Sequence, residues 1–254
     1  MSIGAGTLIV TNGGTLAPST SYIGYGGSYA KTGTVVVAGQ GSLFRVNGNF
    51  MLGGHANFGT GGVGLMTVAD GGRAEFNTAA GTSYAWSNAI VTLDGGVLYG
   101  RNGADFHFHP LSLLRGRGVF DRADIFNSGV CAPGLPTGTL VVSNANYTQV
   151  RTGYPAGRLE LTLAGRGEGD YSRLAVPDGT MTLAGTCAVR LAESFKPAIG
   201  DTFRVLEWKT LAAGRFDTLE LPALSHGKSW VTNDLYVGGT LAVDGQRGSA
   251  LLVR

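Results

Sequence analysis

Four segments of the chain share one pattern of apolar and polar positions: GTLIVTNGGTLAP, GTVVVAGQGSLFRV, GLMTVADGGRAEF and AIVTLDGGVLYG. Each begins with a short β-branched or aliphatic run, passes a polar or small residue and a glycine-bearing turn, and resumes as a second short run. Period-two alternation places successive side chains on opposite faces, so each segment predicts two short strands meeting at a tight corner. A glycine pair weakens a strand interior but suits a corner that needs positive φ. No stretch carries a sustained apolar stripe of period 3.6, and SLLRGRGVF is too short and glycine-rich to predict a helix.

The corner glycines fall at Gly14, Gly41, Gly72 and Gly96, at intervals of 27, 31 and 24 residues. Repeats of this length belong to solenoids and propellers. A propeller blade needs about four antiparallel strands in ~40 residues. The shorter period and the glycine corners favour an all-β parallel solenoid, with coils stacked ~4.8 Å apart around inward Val, Leu and Ile. Roughly ten coils of ~25 residues, ~50 Å in all, are expected. Val10, Val37, Val68 and Leu93 then occupy successive layers. Near residue 116 the strands lengthen and the Gly-Gly corners thin out. Residues 1–115 are therefore read as Gly-rich repeats, and 116–254 as a more regular β-rich segment continuous with them.

Composition supports this class. Glycine supplies 43 of 254 residues and charged residues only 14%, while 43% are hydrophobic, enough to bury a core. With 8 prolines and no Gly-x-y period, collagen is excluded. The net charge of +2 is spread over scattered Lys and Arg, which offers no track for nucleic-acid phosphates. No apolar stretch reaches the ~20 residues of a membrane span. The N-terminal MSIGAGTLIVTNGG lacks the pattern of a signal peptide. Cys131 and Cys187 sit in apolar strand contexts; buried free thiols and a single disulfide are both compatible with that.

Further along stand APGLPTGTLVVSNANYTQ, then GRLELTLAGRGEGDYSRLAVPDGTMTLAGTCAVRLAESFKPAIGDTFRVLEW, then GRFDTLELPALSHGKSW. This succession resembles the closing segment of autotransporter-type and PEP-CTERM-associated β-helix passenger proteins, and the upstream GTLIVTNGG units are similar to their passenger repeats. The family pattern is Pro-Gly, a Gly-Thr-Leu strand, a Tyr/Phe-Asp-x-Leu-x-Val strand, a Leu-Gly-Gly-Thr-Leu strand and Gly-Asp-x-Phe. Ser172 stands where Asp is usual and Cys187 where Leu is usual; the latter favours a core role for that thiol. The resemblance implies a right-handed parallel β-helix in an extracellular or cell-surface protein.

Candidate chemistry is sparse. In DFHFHP, His107 and His109 at i and i+2 share one strand face with Asp105, the spacing a transition-metal pair would use. The plainer expectation is an outward polar ladder over a core containing Phe106 and Phe108, with no metal and no cofactor. Asp121 and Asp124 in FDRADIF, three apart with Arg122 between, would fall on opposite faces of a single strand; a loop could bring them together as acids, but a solvated turn is the plainer expectation. Glu168 and Asp170 occupy a Gly-rich loop without the ligand spacing of an EF-hand. No Gly-x-Ser-x-Gly or phosphate-loop motif occurs, so an enzyme is not expected. Tyr22, Tyr25, Tyr29, Tyr84 and Trp86 are aromatics that either stack on sugars or pack on the coil. Asn146–Thr148 forms an N-glycosylation triplet.

The ends carry the functional expectation. The chain opens almost at once with GTLIV and ends with SALLVR, showing neither a polar cap nor an amphipathic helix. Uncapped solenoid ends expose strand edges and core. A head-to-tail fibre or surface-layer subunit is therefore expected, a homopolymer in which Leu8, Ile9 and Val10 of one copy meet Leu251, Leu252 and Val253 of the next. The alternatives are an adhesin stalk binding surface polysaccharide or a host ligand and, behind it, a β-helix polysaccharide lyase or hydrolase.

Overall fold

The computed structural model describes residues 1–24, 31–54, 61–77, 83–150, 153–212 and 214–245. Among these there is no helix. Twenty strands form one sheet whose strand-to-strand pairings are all parallel, and three form a small antiparallel sheet. The chain is all-β, as the pattern predicted.

The parallel pairings organise into three ladders, and the chain visits each in turn. The first joins strands including Gly6–Val10, Thr32–Ala38, Val63–Ala69, Arg158–Leu163 and Thr186–Leu191. Along it Leu8, Val35, Met66, Val91, Leu114, Cys131, Leu159, Cys187 and Leu219 stand in register. The second carries Leu16, Phe44, Ala74, Leu98, Phe120 and Val142. The third carries Phe50, Ser83, Phe106, Ile125, Tyr147, Met181 and Leu211. The ladders run through residue 116 without a break, because Ala89–Phe108 pairs directly with Leu113–Asn127.

Alternation builds the core. In Thr32–Ala38 the side chains of Val35 and Val37 are fully buried, while those between them are half-exposed. Val10, Val37, Val68 and Leu93 lie in register in consecutive layers, as expected from their positions before the corners. Between the second and third ladders the filling is aromatic: Phe76 lies 4.6 Å from Phe50 and 5.4 Å from Phe106, and Phe106 lies 5.5 Å from Phe120. The buried polar side chain of Asn127 donates to the Tyr147 hydroxyl at 3.1 Å and accepts from the Gly129 N–H, so it is satisfied.

The DGG corner shows why glycine recurs. Asp70 and Gly71 take φ of 51° and 78°, the left-handed region that turns the chain within two residues. Gly72 has no such φ, yet a Cβ there would lie 2.6 Å from the Val37 carbonyl oxygen of the previous layer. The first glycine is demanded by the turn and the second by the stacking distance.

The two cysteines occupy the same inward ladder with Leu159 between them. Two strand spacings, ~9.6 Å, exceed the ~7 Å Cα separation that a disulfide can bridge. Both are free and buried, and burial pushes each thiol up to about 12.

Toward the end of the described residues the strands leave the parallel ladders. Thr202–Arg204, Thr240–Gly245 and Lys228–Val231 form the antiparallel sheet. Its Phe203, Leu241 and Val243, with Leu235, are buried in one core with Leu206 and Phe216. The Gly239 carbonyl accepts the N–H groups of both Val205 and Leu206. The alternating strands of this region had one apolar face to bury, and the last parallel layer supplied the matching surface. At the other end, Ser2–Ile3, Gly6–Val10 and Thr15–Leu16 each pair with a single strand among the described residues. Leu8 is half-buried, Ile9 is 62% exposed and Val10 is buried. Leu251, Leu252 and Val253 lie outside the described residues, and so does any contact they make.

Two outcomes follow from this packing. Gly72→Ala is expected to lower unfolding stability by about 1 to 3 kcal/mol, the usual cost of overpacking, read as a shifted denaturation midpoint. A thiol reagent such as Ellman's is expected to titrate neither cysteine in the native protein and both in denaturant. One fast-reacting native thiol would contradict the core placement.

Candidate functional site

Outward positions of the ladders hold the chemistry, because the inward ones are filled by the core. On the third ladder Phe106 and Phe108 are buried, which turns His107 outward between them. Tyr22, Met51, Tyr84, His107 and Phe126 succeed one another in register on this outer side. The His107 ring stacks on Phe126 with centroids 5.0 Å apart, and lies 5.2 Å from Tyr84. His109, just past the strand, stacks on Trp86 at 3.8 Å and is only 3% exposed. It also meets Tyr84 and Tyr154 edge-on. Both imidazoles are thus part of an aromatic stack, and no group of three potential metal ligands occurs among the described residues. Tyr84 and Trp86 belong to this packing, and Tyr22 stands in register with Met51 on the same outer side; Tyr25 and Tyr29 lie outside the described residues.

Asp121 and Asp124 flank a turn, and the opposite faces of a single strand do not apply to them. Arg122, at φ 57°, is a corner, and a corner resets strand alternation. Phe120, Ala123 and Ile125 are buried, which leaves both aspartates on the outside. Each is engaged by the next layer: Asp121 accepts from Asn144 Nδ2 at 3.0 Å, and Asp124 from the Asn146 N–H at 2.8 Å and from its side-chain amide. Asn146 in turn accepts from the Thr180 N–H, so the glycosylation-type triplet has its asparagine tied into the stack. In the Gly-rich loop Asp170 accepts from the Gly167 N–H at 3.1 Å, while Glu168 is largely exposed and 3.7 Å from Arg173.

A groove that no motif announced lies beside this corner, on the outer side of the second ladder. Register places Arg45, Glu75, Tyr99, Asp121 and Ser143 in one outward file. The groove has a volume of about 690 Å³ and is lined by Arg73, Glu75, Tyr99, Arg101, Arg122 and Asn144 together with neighbouring corner residues. Glu75 is its buried acid. It accepts from Nε of Arg45 and Nε of Arg73, each at 2.7 Å. Burial alone would raise its carboxyl, but those two guanidinium bonds carry it below the usual glutamate value. The Arg73 guanidinium carbon sits 3.8 Å from the Tyr99 ring centroid, and that of Arg122 sits 5.8 Å away. Arg101 donates to Asn47 Oδ1 at 2.9 Å, and Asn102 donates to Asn77 Oδ1 at 3.0 Å. Gly100 lets the layers close here, since a Cβ on it would meet the Arg122 carbonyl oxygen at 2.3 Å.

The groove's shape comes from the fold and its surplus charge from the side chains. The corner takes Asn102 at φ 57° in one layer and Asn144 at φ 53° two layers on, residues that accept left-handed backbone readily. Arg122 occupies the same conformation between them, at a cost of about 1 kcal/mol or more. It has no ion pair among the described residues and is exposed. No signal in the sequence marks these residues as a set, because they are dispersed over 73–144 and only the register aligns them.

Comparison with family models, with curated proteins and with solved structures gives no match.

On the outer side of the third ladder two like charges, Asp105 and Asp124, stand in register. Burial first, and the Asp124 charge second, raise the Asp105 carboxyl above the ordinary 3.8. The folded chain therefore holds this proton more tightly than the unfolded chain. Stability is fully present below 3.8 and declines as pH rises through the raised folded value. Asp105→Asn is expected to raise Tm at pH 7 by about 1 to 2 °C, a surface-scale effect. The gain should shrink toward pH 3, as measured by thermal unfolding across that range.

Proposed function

We propose that the three stacked ladders form a right-handed parallel β-helix acting as an extracellular or cell-surface stalk that binds surface polysaccharide. It is a non-enzymatic binding module of the passenger type. The observation that carries this proposal is the Tyr99 groove. An aromatic ring is set among arginine and asparagine side chains in an open channel on the outside of a rigid stack, the combination with which proteins hold sugar rings. The groove offers one carboxylate, Glu75, which two guanidinium groups hold ionised. A glycosidase or lyase pair would need a proton-donating partner as well, so binding fits better than cleavage.

The alternative is the head-to-tail fibre, favoured by the single pairing of the first layer and the exposure of Ile9. Against it stands the Gly239 carbonyl, which already occupies the Val205 and Leu206 end of the Leu206–Leu211 edge. Sedimentation velocity with negative-stain microscopy, followed by a glycan array, distinguishes the two. The chain is expected to sediment as one small species at high concentration and to retain a subset of glycans. Regular filaments abolished by Leu8→Asp, with no glycan retained, would establish the fibre instead.

A further inference from the structure

We propose that the Tyr99 groove is a site for acidic saccharides, in which Arg122 takes the carboxylate of a uronate residue and Tyr99 carries the sugar ring. The inference rests on the carbohydrate-binding proposal above and names the class of sugar.

Charge comes first. The groove gathers Arg73, Arg101 and Arg122 around the lining acid Glu75, with Asp121 beside Tyr99 in register and bonded to Asn144. Glu75 is also bonded to Arg45, so its charge is already compensated within the fold. The surplus is cationic and faces an open channel. Arg73 uses Nε for Glu75, and Arg101 is fixed through Asn47. Both are held in place before any ligand arrives, and a held guanidinium fork loses little freedom when it meets a carboxylate.

Arg122 is the residue whose presence the fold itself does not explain. Its corner suits asparagine, which stands there as Asn102 and as Asn144 in the flanking layers. Arginine gains no ion pair among the described residues, and its guanidinium carbon stands 5.8 Å from the Tyr99 centroid. A strained, exposed, unpaired guanidinium beside an aromatic ring is in place to bind an external anion. The anion that also uses the ring is a carboxylate on a pyranose: its apolar face packs on Tyr99 while the planar carboxylate meets the planar fork. With its Nδ2 bonded to Asp121 and Ser143, Asn144 on the rim offers its side-chain oxygen as an acceptor for hydroxyl groups. The channel is open rather than closed, so it fits a polymer lying across the layers better than an enclosed small molecule. Nucleic acid is the competing polyanion, but with a net charge of +2 and scattered cations the chain lacks the basic track that phosphates require.

The test is calorimetric titration of the whole chain with oligomers of galacturonate, mannuronate and hyaluronan. Each is compared with its neutral methyl-esterified or reduced form, and a single-stranded oligonucleotide serves as the phosphate control. At least one acidic oligomer is expected to bind at least tenfold more tightly than its neutral form, and to weaken as salt rises. Arg122→Asn is expected to lower that affinity tenfold or more while leaving Tm equal or higher, because asparagine suits the corner. Tyr99→Ala is expected to weaken acidic and neutral forms together. Equal affinity for acidic and neutral oligomers, unchanged affinity in Arg122→Asn, or tighter binding of the oligonucleotide would each overturn the acidic-saccharide site. Binding of neutral glycans alone, unaffected by Arg122→Asn, would leave the carbohydrate-binding stalk standing without this site. Retention of no glycan of any kind would remove both.

Discussion

Everything in this protein depends on parallel pairing held in register from layer to layer. Once Leu8 is aligned with Val35, and Val35 with Met66, the inward side chain of each layer lies on that of its neighbour, and a one-residue slip would turn the whole apolar set outward. The backbone bonds fix the spacing and the side chains fix the register. Neither suffices alone, because a hydrogen-bonded ladder tolerates any side chain and an apolar run tolerates either helix or strand. The same alignment places Cys131 and Cys187 two layers apart, close enough to share a core and too far apart to share a bond.

The corners are where the stacking constraint is most demanding. A chain that must turn within two residues and still lie one strand spacing from its neighbour needs left-handed backbone at one position and no Cβ at the next, the roles of Gly71 and Gly72. Where the corner instead carries a side chain, that side chain projects outward beside those of adjacent layers. Asn144 reaches Asp121 in this way, and Asn102 reaches Asn77. Arg122 stands in the same column beside the Tyr99 ring, without a side-chain hydrogen bond of this kind among the described residues. The proposed binding function therefore sits on the outer side of the register-aligned stack, which holds the groove's residues in place.

The antiparallel strands near the end of the described residues show a limit of pattern reading. The alternation in DTFRVLEW and GTLAVDG correctly announces strands with one apolar face, but alternation is the same for a strand that extends a parallel ladder and for one that folds back antiparallel. Thr202–Arg204 and Thr240–Gly245 did the latter, and their Phe203, Leu241 and Val243 joined the core beside Leu206. The choice was made by which apolar surface was available to cover, a property of the preceding layers rather than of the strands themselves.

The sequence by itself determined the elements and their inward faces. Period-two alternation, glycine corners at 27, 31 and 24 residues and the absence of any 3.6-residue stripe specify an all-β chain. They also place Val10, Val37, Val68 and Leu93 in one file, because these are local properties read over a few residues. The DFHFHP run likewise gave Phe106 and Phe108 as core. Only the tertiary structure decided what lies beside what. It set His107 on Phe126 and His109 on Trp86, put Asp121 and Asp124 on the same side through the Arg122 corner, and gathered Arg73, Tyr99, Arg101 and Arg122 into one groove. The physical reason is that outward neighbours across layers are separated by whole turns of chain of unequal length, so their alignment follows from hydrogen-bond register and corner geometry, which no local pattern encodes.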